Sequence, residues 1–268
     1  MAYQFQQPYL GLSAGLQTIH GASGGGAGVG GWVELGRTTL GSSGDDITVS
    51  SLADKRYYMI LADHRNLSDV YPIRRFGNST VDSGTNYAGR WSLNGGADGS
   101  GGNRNNMILE AGTGGLTNNA FGVSYIANLS AKEKLMIHHE VMGHTAGAGT
   151  APKRAETVGK WANTSNVIDV IRDFDVNVDA FNTGAEIVVL GWDPADTHTT
   201  NFWEELASVE LGGANANLSS GTITAKKYLW IQAFIKKTSA STEITVQYNN
   251  DTGSNYARRK SNDGGADG

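Results

Sequence analysis

Cysteine is absent from the 268 residues, so neither disulfides nor a thiolate metal site holds the fold. No run of roughly 18 apolar residues occurs. The N-terminus lacks a basic region followed by an apolar one, so neither a membrane span nor a signal peptide is expected. Charge is sparse, with Asp, Glu, Lys and Arg at 18% and a formal net charge of −5. That balance, with a pI near 5.7, removes the counterion-release attraction on which nucleic-acid affinity largely depends. Neither nucleic-acid binding nor membrane insertion is therefore expected. The basic clusters Arg74-Arg75 and Arg258-Arg259-Lys260 read as solvated strand faces. Helix-forming blocks of Ala, Glu, Lys and Leu are few.

What is present in quantity is glycine, at 37 residues about twice average usage. Together with abundant Asn, Ser and Thr it suits short strands joined by tight turns. Residues 1–31 run from scattered aromatics (Tyr3, Phe5, Tyr9) into GASGGGAGVGG, which has few side chains to bury. A flexible N-terminal arm is expected there.

The chain also repeats itself. GTNYAGRWSLNGGADG at Gly84–Gly99 returns as GSNYARRKSNDGGADG at Gly253–Gly268, with eleven identities in sixteen ungapped positions at an offset of 169. Upstream, Trp32-Val-Glu-Leu matches Trp203-Glu-Glu-Leu at an offset of 171, so the alignment needs only a two-residue deletion. So long a period marks a duplicated domain, since solenoid units run roughly 20 to 50 residues. The expected organisation is an arm (1–31), a first β-sandwich domain (32–200), and the first half of a second copy (202–268).

From Trp32 onward apolar residues alternate with period two between turn signals, the pattern of an all-β, antiparallel, jelly-roll-like β-sandwich. Strands are expected at 32–40, 46–50, 56–62, 71–76, 87–92, 106–110, 121–127, 134–142, 156–161, 167–178 and 186–192. Ser130-Ala-Lys-Glu133 has the form of a helical capping box. It belongs, however, to a phrase used three times: LADKRYYMILA (Leu52), LSAKEKLMIHH (Leu129) and ITAKKYLWIQA (Ile223). Each reads as a polar turn feeding a buried central strand, and the first copy itself is read as two related half-domains.

Chemistry-bearing motifs are weak. Ile-His138-His139-Glu140-Val-Met-Gly-His144 suggests a zinc-protease helix, but His139 and His144 are five apart and His138 and His144 six, so no pair lies four apart on a helical face. On a strand His138, Glu140 and His144 share a face, and ordinary sheet surface is the reading. Asp173, Asp175 and Asp179 alternate along one strand as a solvated edge would. The GGADG loops, with Asp98 and Asp267, offer one or two carboxylates each and read as hairpin turns rather than calcium loops. No metal, cofactor or catalytic residue is assigned, and the protein is not expected to be an enzyme. Of the tryptophans, Trp91 becomes Lys260 in the second copy and is the best candidate for exposure. Arg90 and Trp91 are the place to look for a ligand.

The phrases WVELGRTTLG, NYAGRWSLNGGADG, TAGAGTAPKRAETVGKWANTS and VVLGWDPADTHTTNFWEEL resemble those of uncharacterised virion and tail-fibre-type proteins of tailed, notably marine, bacteriophages. The resemblance spans nearly all of residues 32–268 and brings no catalytic motif. It implies a virion location and a β-sandwich structural module, either a capsid-decorating protein or a fibre subunit. The implied partners are other virion proteins and copies of itself. The alternative is a receptor-binding module that takes host surface glycans.

Overall fold

The computed structural model describes residues 31–66, 71–109, 119–143, 145–175, 181–197, 200–213, 215, 217–235, 244–261 and 267. The expected N-terminal arm lies, apart from Gly31, outside them. Among the described residues there are thirteen strands and no helix: β1 (Val33–Thr39), β2 (Asp46–Val49), β3 (Tyr57–His64), β4 (Ile73–Asn78), β5 (Thr80–Val81), β6 (Tyr87–Leu93), β7 (Gly99–Arg104), β8 (Met107–Ile108), β9 (Ala120–Ala127), β10 (Lys134–Met142), β11 (Lys153–Trp161), β12 (Val170–Phe174) and β13 (Glu186–Trp192). All lie within the first copy. The eleven expected strands appear, 134–142 and 186–192 with the expected ends and the others with shifted ones, Glu110 and residues 176–178 of two expected strands lying outside the described residues, and β5 and β7 are additional. The phrase at Leu129 turns where a capping box would start a helix, with Ala131 at φ 57°.

The fold is an antiparallel β-sandwich. One sheet runs β1-β13-β3-β9-β10-β11-β6-β7, and the other runs β2-β12-β4-β5 with β8 beside β4. The pairs β1 with β13, β2 with β12 and β6 with β11 nest inside one another along the chain. A long hairpin wrapped around a core gives this nesting, as in a jelly roll. At the β1 edge the register shifts between Glu34 and Gly36, a bulge that blunts the edge against stray pairing.

The core lies between the sheets. Tyr58, Ile60 and Ala62 of β3, Ile47 and Val49 of β2, Phe76 of β4, Ile171 of β12 and Ile187 and Val189 of β13 are all buried in it. Each large side chain so buried contributes about 1.5–3 kcal/mol. Trp161 fills the β11 end and donates its indole N–H to Asp82 at 2.7 Å. That carboxylate also accepts the Gly84 amide at 2.7 Å, which builds the turn before β6. Burial would raise the Asp82 pKa, but the hydrogen bonds from Trp161, Asn86 and Gly84 outweigh it and hold it below its ordinary value. Tyr87 ties the same corner down, its hydroxyl meeting the amide and carbonyl of Phe76 at 3.0 and 2.9 Å.

The repeated phrase does not mark equivalent half-domains. Ile60 on β3 faces the core, whereas Ile137, at the matching place on β10, is 51% exposed. A one-residue difference in facing turns every side chain of a strand to the other side of its sheet. The described residues of Trp203–Gly253 form a separate compact unit without strands, and those of 254–268 group with the sandwich.

Candidate functional site

Arg90 and Trp91 are neighbours on β6 and therefore point to opposite faces of the sheet. Arg90 lies opposite exposed Val158, its side chain 58% exposed and 3.4 Å from Asp98. Trp91 lies opposite buried Thr157, against Gly99 on β7, with the Arg104 guanidinium 5.6 Å from its ring centre. A Cβ on Gly99 would fall 2.4 Å from the Trp91 indole nitrogen, so the ring rests directly on that glycine backbone. The two residues do not share a surface.

Of the second GGADG segment only Asp267 is described. Asp267 is 1% exposed and takes a two-pronged hydrogen bond from Arg154 of β11 at 3.0 and 2.8 Å. Gly95, at φ +70°, leaves room for it, since a Cβ there would meet the Asp267 carboxylate at 2.7 Å. Among the described residues no group of three His, Cys, Asp or Glu side chains is placed to hold a metal ion.

The densest polar chemistry sits between the sheets, where sequence reasoning expected surface. Arg74 is buried rather than solvated, and so are His138, Glu140, Asp173 and Asp175. The same-face aspartates are no edge either, because β12 runs between β2 and β4; Asp179 lies outside the described residues. Six side chains from five strands close a ring. Arg74 (β4) donates to both oxygens of Asp173 (β12) at 2.6 Å. Asp173 meets His64 (β3) Nε2 at 3.1 Å, and His64 Nδ1 meets Glu140 (β10) at 3.1 Å. Glu140 reaches His138 Nε2 at 3.4 Å, His138 Nδ1 lies 2.8 Å from Ser124 (β9) Oγ, and Arg74 donates to that hydroxyl at 2.6 Å.

These contacts fix the protons. His64 faces a carboxylate at each nitrogen, so both nitrogens carry hydrogen and the ring is an imidazolium. The Ser124 oxygen already accepts from Arg74, so its own hydrogen goes to His138 Nδ1, and His138 is neutral with its proton on Nε2, aimed at Glu140. Two cations, Arg74 and His64, thus balance two carboxylates. The protonation equilibria run the same way. Burial pushes His64 down, but the hydrogen bonds it donates to Asp173 and Glu140 overcome that and raise its pKa to about 9. Burial pushes Glu140 up, yet His138 and His64 bring it down to about 2. Against the same burial cost, the charge and hydrogen bonds of Arg74 keep Asp173 well below its ordinary value. His138 is lowered, chiefly by burial, so it stays neutral.

Small neighbours make the room. Glu140 faces Gly122 across the strands on one side and Ala155 on the other, and a Cβ on Gly122 would lie 2.7 Å from His138 Cε1. Ser124, His138 and Glu140 are the ingredients of a serine–histidine–acid relay. Here the hydroxyl is 1% exposed and pinned beneath the Arg74 guanidinium, so the ring clamps the two sheets together. It also decides which way β10 faces. That strand turns Lys134, Met136, His138, Glu140 and Met142 inward and Leu135, Ile137 and Val141 outward, so three polar residues take inward places while three apolar ones face out.

The outward consequence is an apolar strip. Phe121 and Tyr125 of β9, Leu135, Ile137 and Val141 of β10 and Val158 of β11 are between 38% and 56% exposed. Ile137 lies directly between Tyr125 and Val158 in register, so the strip is continuous across three central strands. His139 stands on this outer face; His144 lies outside the described residues. No protein-family model, curated protein or solved structure matches the chain.

Proposed function

We propose that this chain is a non-enzymatic structural protein of a bacteriophage virion, a capsid-decorating protein or fibre subunit that assembles through its β-sandwich. The observation that carries the reading is the apolar strip on β9, β10 and β11, which lies on the open side of the larger sheet. Contiguous exposed apolar surface of this kind is the material of protein–protein contacts. The resemblance of the sequence to virion and tail-fibre-type proteins gives the contact its setting. The buried ring suits the role, because a charge-paired clamp keeps the strip facing outward and available to virion partners or to further copies. Mass spectrometry of gradient-purified virions from the encoding genome tests the reading. The protein is expected among the particle components at a copy number matching a capsid or tail symmetry, and its absence from washed particles would refute the assignment.

A further inference from the structure

The layout of the exposed strip says what can cover it. In register it runs as four rows across β9, β10 and β11: Ala127–Leu135–Lys160, Tyr125–Ile137–Val158, Val123–His139–Glu156 and Phe121–Val141–Arg154. The β9 column is apolar throughout, the β10 column is apolar but for His139, and the β11 column carries the charges. Those charges are answered within the chain. Lys160 holds Glu133 at 2.8 Å, and Arg154 holds Glu156 and Asp267, each at 2.8 Å. The face therefore needs no partner of opposite sign, and it does not repel a second copy of itself although the chain carries a formal net charge of −5.

Size and composition point the same way. Six large apolar side chains, between 38% and 56% exposed, present on the order of 500 Å² of apolar surface. With the stems of Lys160, Glu156 and Arg154 beside them, two such faces brought together bury about 1,200–1,600 Å², the size of a stable interface. A centre dominated by aliphatic and aromatic side chains is the composition of contacts between identical chains, which are more apolar than contacts between unlike ones.

We propose that the strip is the contact of a homodimer, in which two copies pack their larger sheets face to face about a two-fold axis along β10. The proposal rests on the reading of the strip as an assembly contact and names its occupant. Sheets packed in this aligned way keep their strands within about 30° of each other, so the axis runs either along β10 or across it. Across the strands, with all four rows in contact, it sets Lys160 against the second copy's Arg154 and buries like charges. Along β10 it lays each β11 column on the other copy's apolar β9 column. Val158 then meets Tyr125, the stems of Lys160 and Arg154 cover Ala127 and Phe121, and Ile137 meets its own counterpart.

Light scattering on the full chain tests it. As concentration rises from about 1 to about 100 µM, the mass should climb from 28.3 kDa to twice that value. Ile137→Lys brings two ammonium groups together on the axis and should raise the dissociation constant at least about a hundredfold, with the near-UV circular dichroism unchanged. Ile137→Glu should do the same. Mixed in equal amounts, these two variants should associate at least about tenfold more tightly than either alone. Thr80→Lys, exposed on β5 of the smaller sheet, should leave the dimer as it is. A chain still at 28.3 kDa at the highest concentration, a dimer that Ile137→Lys leaves intact, or a mixture that stays monomeric would each overturn the proposal. A monomer found in washed particles would overturn this inference alone, and a dimer missing from them would overturn the virion reading alone.

Discussion

Removing the charge of His64 probes the buried ring most sharply. The imidazolium lies between Glu140 and Asp173, with Arg74 as the other cation and neutral His138 beyond Glu140. His64→Gln leaves two buried carboxylates with one cation, and breaking a buried charge pair by deleting one partner costs about 3–5 kcal/mol. The pH dependence separates this from a plain packing loss. The His64 pKa is raised from 6.5 to about 9, so its contribution is complete below pH 6.5 and is lost as pH rises through about 9. At 1.36 kcal/mol per unit the shift corresponds to about 3 kcal/mol. His138 acts in the opposite direction. Its pKa is lowered, so below pH 6.5 the unfolded chain takes up a proton that the folded ring refuses, and stability falls. Glu140, lowered from 4.5 to about 2, adds a further loss as pH falls through that interval. Urea unfolding followed by tryptophan fluorescence from pH 4 to 10 should therefore peak near pH 6.5. The wild type should decline by about 3 kcal/mol on the alkaline side, and His64→Gln should be destabilised at pH 6.5 and nearly flat above it. An alkaline limb equally steep in both proteins would refute the proton assignment.

Gly122→Ala should cost about 1–3 kcal/mol, because the new methyl meets the His138 ring at 2.7 Å within a packed interior, and thermal denaturation checks it. Ile137→Lys should leave the melting temperature within about 2 °C of wild type, since the side chain is 51% exposed, while weakening incorporation into particles in a competition assay. EDTA or added zinc should leave the melting temperature unchanged, because both His138 nitrogens are already engaged, by Ser124 and Glu140. A shift of several degrees would show a metal at the His138 segment or the GGADG turns.

The strands were legible because alternation survives in the sequence whichever way a strand faces. The facing was not. On β10 the outward set Leu135, Ile137, Val141 is as apolar as the inward Met136 and Met142, and partners on four other strands hold His138 and Glu140 on the inward side. Arg74 and Asp173 carried a usable signal. Each sits two residues from a core apolar residue, Phe76 and Ile171, on a strand with little room to turn over. His64 likewise continues the inward series Tyr58, Ile60, Ala62. β7, Gly-Ser-Gly-Gly-Asn-Arg, has too few side chains to alternate, and β5 is two residues long, so neither shows a pattern. The Arg90 and Trp91 pairing overlooked that neighbours on a strand part to opposite faces.

The measurement that bears most directly on the central claim is an electron cryo-microscopy map of the virion produced by the encoding genome. The account predicts density for the β1–β13 sandwich in symmetry-related copies, with Phe121, Tyr125, Leu135, Ile137, Val141 and Val158 covered by a neighbouring subunit. A particle lacking this sandwich, or one displaying it with that strip open to solvent, would contradict it.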